Sequence, residues 1–198
     1  MGRIELTGRD LDFSFVPTGG ERLEIHPQTP DMPVTRPSTL RPSPLNQVCF
    51  LADATVGKLA RLLRLAGLDT TVVAAQQPIS AVAAAAVRDR RILLTRNREL
   101  LKLRLVTHGR LLRSQDPRQQ FTEVSQLYHL QPLFRPFSRC AVCNAVLEAV
   151  DKEAVIDRLE PLTRRYYDHF KHCPACNRIY WQGSHQQRLN HLFGWSNS

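Results

Sequence analysis

From Val48 to Leu127 the apolar positions alternate between two rhythms. Short continuous runs, VCFLA, TTVVA, RILLT and GRLLR, read as buried strands. Between the first two, apolar residues recur at Val56, Leu59, Ala60, Leu63 and Ala66, a helical stripe, with Lys58, Arg61 and Arg64 mostly on the other side. Gly67 stands where a left-handed helix cap belongs. Pro78 opens an Ala-rich helix that runs to Arg88. Asn97 caps a helix over RELLKLRL, and Asp116-Pro117 supplies the N-cap and first-turn proline of a helix through Leu127. This alternation predicts an α/β fold with a parallel sheet flanked by helices. The carboxyl ends of the first, third and fourth strands carry Asp53, Asn97 and, a few residues on, Asp116. A parallel sheet brings those ends to one edge, where the active-site crevice of such folds lies. Asp53 is either a site carboxylate or only the cap of the helix that follows it.

The pattern differs on both sides of this segment. LDFSFV and ERLEIHP alternate apolar and polar, so residues 1–27 read as a hairpin around Thr18-Gly19-Gly20. One hairpin alone is not stable in water, so it must pack on something, pair with another chain or lack fixed structure. Residues 28–47 interleave Pro30, Pro33, Pro37, Pro42 and Pro44 with Ser, Thr, Gln and Arg, and read as an extended linker that buries no core. Residues 48–135 form the α/β domain and residues 136–198 a Cys-bearing one. There Cys140-Ala-Val-Cys143 and Cys173-Pro-Ala-Cys176 are two knuckles separated by a long insert. Four thiolates at that spacing match a closed tetrahedral zinc site, whose role is folding because it leaves no position open for substrate. Cys49, alone in the first strand, reads as core filling.

Charge adds a partner class. The net charge is +9, and residues 49–135 hold fourteen Lys/Arg against six acids. A basic field of that kind suits a polyanion, nucleic acid being the commonest, or is simply a soluble basic surface. No run approaches the roughly 18 apolar residues of a membrane helix. The N-terminus has no apolar core of a signal peptide, so a cytoplasmic location without membrane contact is expected.

Taken together, FLADATVGKLARLLRLAGLD, RILLTRNREL, the DPRQQ at 116–120, both CxxC pairs and YWQGSH at 180–185 resemble the Mut7-C RNase family, a PIN-like nuclease domain followed by a zinc ribbon. The resemblance covers about residues 48–193. Residues 8–27 also look like the last two strands of the ubiquitin-like, ThiS-type β-grasp domain that often precedes this nuclease. Only its tail is present, so the reading frame starts late or the domain is a remnant.

The resemblance implies a metal-dependent ribonuclease whose acids hold Mg²⁺ or Mn²⁺ at the sheet edge, beside a structural zinc. On this reading Asp53 is the central metal ligand, with Asp116 and Asn97 as further ligands, directly or through water. Arg96 and Arg98 either contact phosphate or are solvated arginines at a helix start. His185 either approaches a phosphate or orients structure beside the zinc. The chain departs from the family at Asn97, where an Asp is usual, and in QQPISAVAAAA, which lacks the acids that usually open that helix. An alternative function is therefore RNA binding without cleavage, with Tyr180 and Trp181 stacking bases or packing a small core. PIN-like folds often pair, so a homo-oligomer is among the expected partners, as is a protein docking on the N-terminal arm.

Overall fold

The computed structural model describes residues 3–12, 14–27 and 33–182. The chain falls into two compact units, Met1–Leu63 with Leu68–Phe134, and Arg64–Gly67 with Arg135–Ser198.

The first unit opens with three short strands, β1 (Arg3–Leu6), β2 (Arg9–Asp10) and β3 (Leu23–His26), in the antiparallel order β2-β1-β3. LEIH is thus a strand as expected, but the described residues of LDFSFV, Leu11, Asp12 and Ser14 to Val16, are not. Its place is taken by RIEL, which pairs Arg3 with His26 and Glu5 with Glu24. Thr7 and Gly8, at φ 48° and 79°, turn the chain between β1 and β2. Asp12 explains the loss of LDFSFV. Its Oδ1 accepts from the Ser14 amide at 2.7 Å and the Ser14 hydroxyl at 2.5 Å, a local turn that competes with strand pairing.

The Pro-rich segment also differs from expectation. Its described part, residues 33–47, buries Val34, Leu40, Arg41 and Leu45. It folds back on itself through Leu45 N to Val34 O at 3.0 Å and the bridge between Ser38 and Arg41. Three apolar residues spaced among the prolines are enough to pin it.

The core of this unit is a parallel sheet. Its elements are β4 (Phe50–Ala52), a 3₁₀ turn (Ala54–Val56) leading into α1 (Gly57–Leu65), β5 (Thr70–Val72), α2 (Ile79–Arg88), β6 (Ile92–Thr95), α3 (Arg98–Leu101), β7 (Gly109–Leu111) and α4 (Pro117–Leu127). The strand order is β5-β4-β6-β7, all parallel. Every residue of β4 and β6 is buried, as a strand covered on both faces requires. Leu59, Ala60 and Leu63 of α1 are fully buried, so the helical stripe faces the core. Cys49 is buried, as expected of core filling. The chain leaves β4 toward β5 on one side and returns to β6 on the other. The topological switch point therefore lies between the carboxyl ends of β4 and β6.

The second unit holds β8 (Glu148–Val150), α5 (Lys152–Val155), α6 (Pro161–Tyr166), β9 (Phe170–His172) and β10 (Ile179–Trp181). The strands form an antiparallel sheet in the order β10-β9-β8. Its α5–β9 side buries Val155, Leu159 and Phe170, with Trp181 packed against them. Gly67 also belongs to this unit, at φ 86°, and a Cβ there would lie 2.1 Å from the Arg135 carbonyl oxygen. Only glycine fits that cap.

Candidate active site and metal centre

Asp53 follows the last residue of β4 and is 6 % exposed. The β4–β6 pairing fixes its backbone, with its amide donating to the Leu94 carbonyl at 3.1 Å. Both carboxylate oxygens are engaged. Oδ1 accepts from the Thr55 amide at 2.9 Å and the Thr55 hydroxyl at 2.5 Å. Oδ2 accepts from the Thr95 hydroxyl of β6 at 2.5 Å. Asp53 is therefore the N-cap of the 3₁₀ turn. A carboxylate offers about four lone-pair positions. Three are taken, and the free one is on Oδ2.

The neighbouring strand end is tied to the same network. Thr95 Oγ1 accepts from the Asn97 amide at 2.8 Å, and Thr55 Oγ1 from the Arg96 amide at 3.1 Å. Asn97 caps α3 through Oδ1, which accepts from the Glu99 amide at 3.0 Å. Asp116 is exposed and caps α4 through Oδ1, which accepts from the Arg118 amide at 3.0 Å. Each of the three candidate ligands thus has a capping role. The structure ties Asn97 to Asp53 through Thr95. Asp53 and Asp116 share no cluster: among the described residues neither falls in a group of three or more His, Cys, Asp or Glu ligand atoms within 4.8 Å.

Two other acids resolve as structural. Asp69 Oδ1 lies 2.6 Å from Arg91 Nη1, an ion pair at the start of β5. Glu99 is exposed and pairs with Lys102 at 2.7 Å. A group formed by Glu5, Glu24 and His26 has ligand-like spacing but lies on the separate β2-β1-β3 sheet, where Arg3 neutralises Glu5 at 2.7 Å.

The cations at this edge are free. Arg96 and Arg98 follow β6, while Arg113 and Arg118 follow β7. All four are exposed, and none of their guanidinium groups makes a hydrogen bond or ion pair among the described residues. His185 lies outside the described residues, as do Gly183 and Ser184 before it.

The second unit brings together all four cysteines of the two knuckles. Their sulfurs lie within 4.8 Å of one another, with Cys140 Sγ to Cys176 Sγ at 3.5 Å and Cys143 Sγ to Cys173 Sγ at 3.3 Å. A zinc tetrahedron with Zn–S of about 2.3 Å has S···S edges of about 3.8 Å, so the donor set fits that ion. The two knuckles share one backbone device. Asn144 and Asn177, each directly after its CxxC, adopt positive φ of 73° and 55°. Their amides return to the Cys140 and Cys173 carbonyls at 3.0 and 2.8 Å. Asn after a CxxC, a residue that tolerates the left-handed region, is a readable signal that the motif reading passed over.

The thiols are tuned apart. Burial pushes Cys173 up to about 12. Burial also opposes ionisation of Cys140, but hydrogen bonds from the Tyr180 hydroxyl at 3.0 Å and the Cys143 amide outweigh it and bring that thiol down to about 6. Tyr180 is thereby committed to the cysteine cluster. Trp181 packs on Phe170 with ring centroids 6.4 Å apart. Both aromatics serve packing here.

Among the described residues no helix is long and apolar enough to cross a membrane. A family model described as the Mut7-C RNAse domain matches residues 48–193. No curated protein and no solved structure matches the chain.

Proposed function

The chain belongs to the Mut7-C RNase domain family, and from that premise we propose that it is a PIN-like, metal-dependent ribonuclease whose site is anchored on Asp53. The observation that carries this reading is the position of Asp53: a buried carboxylate at the switch point, clamped by two threonine hydroxyls, with one lone pair of Oδ2 free. Mg²⁺ commonly binds through one or two carboxylates together with substrate phosphates rather than in an all-protein cage. The donors near Asp53 fit that kind of shared site, with Asn97 and Asp116 as outer ligands through water. A cation held there supplies an activated water and steadies charge on the attacked phosphate.

The residues of the chain do the rest. Thr55 and Thr95 fix the carboxylate so that it is preorganised before RNA arrives. Arg96 and Arg98 meet the RNA backbone as point contacts to phosphate. The four-cysteine cluster is the zinc ribbon's centre and holds the second unit folded.

A second reading, RNA binding without cleavage, is favoured by one observation. Asn97 brings no charge to the corner where the family carries an acid, and among the described residues Asp53 belongs to no group of three or more His, Cys, Asp or Glu ligand atoms. Incubation of the purified chain with single-stranded RNA and Mn²⁺ separates the two. Metal-dependent products support the nuclease. Salt-sensitive binding with no product supports the second reading, with the salt slope falling by about one for each phosphate-contacting arginine removed.

A further inference from the structure

Of the three cations that the helical pattern sets on the polar side of α1, Lys58 and Arg61 are exposed, but Arg64 is buried, at 7 % exposure. Arg64 belongs to the second unit, together with Ala66 and Gly67. The end of the helix is fixed there, since the Arg135 amide donates to the Ala66 carbonyl at 2.9 Å. A buried guanidinium is costly unless its donors are used. Arg64 Nη1 lies 2.6 Å from the Val142 carbonyl oxygen and 3.4 Å from that of Ala141. Both carbonyls sit inside the first knuckle, between Cys140 and Cys143.

The same two peptide groups serve the cysteine cluster with their other ends. The amide that follows the Val142 carbonyl is that of Cys143, which donates to Cys140 Sγ at 3.4 Å. The amide that follows the Ala141 carbonyl is that of Val142, which also donates to Cys140. The C=O and N–H of a planar trans peptide point in opposite directions. The guanidinium therefore binds the oxygen end of each peptide whose nitrogen end faces the sulfur. Hydrogen bonds linked in such a chain polarise one another, so the cation strengthens both N–H···S bonds. The second knuckle lacks this device: among the described residues no side chain bonds the matching Pro174 and Ala175 carbonyls.

Four thiolates around a divalent cation carry an excess of negative charge, and the groups that orient a metal's ligands help set its affinity. We propose that Arg64 is a positioning residue of the zinc centre, orienting and polarising the two first-knuckle peptides that hydrogen-bond the Cys140 sulfur. The proposal rests on the zinc reading of the four-cysteine cluster. It adds to that centre a residue of α1, outside the segment that carries the two CxxC pairs.

The test reads zinc binding and is independent of cleavage. The full chain is set in competition with a zinc chelator of known affinity. Arg64→Met is expected to weaken zinc binding about 10–100-fold, the usual effect of removing an outer partner. Arg61→Met, at an exposed position of the same helix, should leave it unchanged. Arg64→Lys keeps the charge but not the planar fork, and should lie between Arg64→Met and the parent. In the zinc-saturated proteins, hydrogen exchange followed by NMR should quicken at the Val142 and Cys143 amides of Arg64→Met and stay unchanged at those of Ala175 and Cys176. The proposal is overturned if Arg64→Met, or Arg64→Lys should the first not fold, holds zinc as tightly as the parent. It is also overturned if all four amides quicken alike, because that is general loosening of the unit. A parent chain that takes up no zinc overturns the zinc reading and the proposal with it, whereas equal affinity in parent and variant overturns the proposal alone.

Discussion

The Thr95 hydroxyl reaches across from β6 to donate to Asp53 Oδ2 at the end of β4, at 2.5 Å, while Thr95 Oγ1 itself accepts from the Asn97 amide at 2.8 Å. One buried threonine thus links the anchor carboxylate to the corner where the family's acid is missing. Thr95→Val keeps the shape and removes both bonds. A hydrogen bond to a charged group contributes about 1.5–3 kcal/mol, so urea unfolding should show a loss of that order. RNA cleavage should fall more steeply than stability, because the carboxylate loses its fixed orientation.

Asn97→Asp tests whether the site is intact but under-charged. Asp caps a helix about as well as Asn, so the melting temperature should hold. Mn²⁺-dependent cleavage should rise, and the Mn²⁺ concentration needed for half-maximal rate should drop. An unchanged metal requirement would place the deficit at the α2 start, where QQPISAVAAAA brings no acid.

The cysteine cluster predicts one tightly held zinc per chain by elemental analysis. Cys140→Ser and Cys173→Ser should each abolish it and collapse the near-ultraviolet signal of the second unit, where Tyr180 and Trp181 pack. Metal binding requires thiolates, so affinity should rise with pH and zinc should leave on acidification.

The parallel sheet, its helices and the four-cysteine cluster were legible in the sequence because each rests on local signals: continuous apolar strands, the Gly67 cap, Pro78, Asp116-Pro117 and the CxxC spacing. The misses have physical causes. RELLKLRL has a helical pattern, yet α3 stops at Leu101. Chain must return to begin β7, and Gly109 approaches so closely that a Cβ there would lie 2.6 Å from Leu101 Cδ2. LDFSFV alternates like a strand but is captured by the Asp12 turn. At the site, sequence placed Asp53 and Asn97 at strand ends on one edge of the sheet, and the structure makes those strands neighbours. It did not show that Thr55 and Thr95 clamp the carboxylate, since threonine in or after a strand is ordinary β chemistry until its partner is known.

The His108 ring gives a pH signature. Burial first, then the Arg41 and Arg90 charges, lowers its pKa to about 4 from an ordinary 6.5. Between those values the unfolded chain binds more protons than the native one, so stability rises with pH across the window and is lost as pH falls toward 4. His108→Gln should flatten that acid limb in unfolding curves collected from pH 6.5 to 4.

The most direct measurement of the Asp53 claim compares the parent chain with Asp53→Asn in cleavage of single-stranded RNA with Mn²⁺. The amide oxygen can still accept from Thr55, but the bond from Thr95 to the charged Oδ2 is lost, so the variant should stay folded with its stability lowered by about 1.5–3 kcal/mol. The account predicts metal-dependent cleavage by the parent and its loss in the variant; equal rates in the two proteins contradict it.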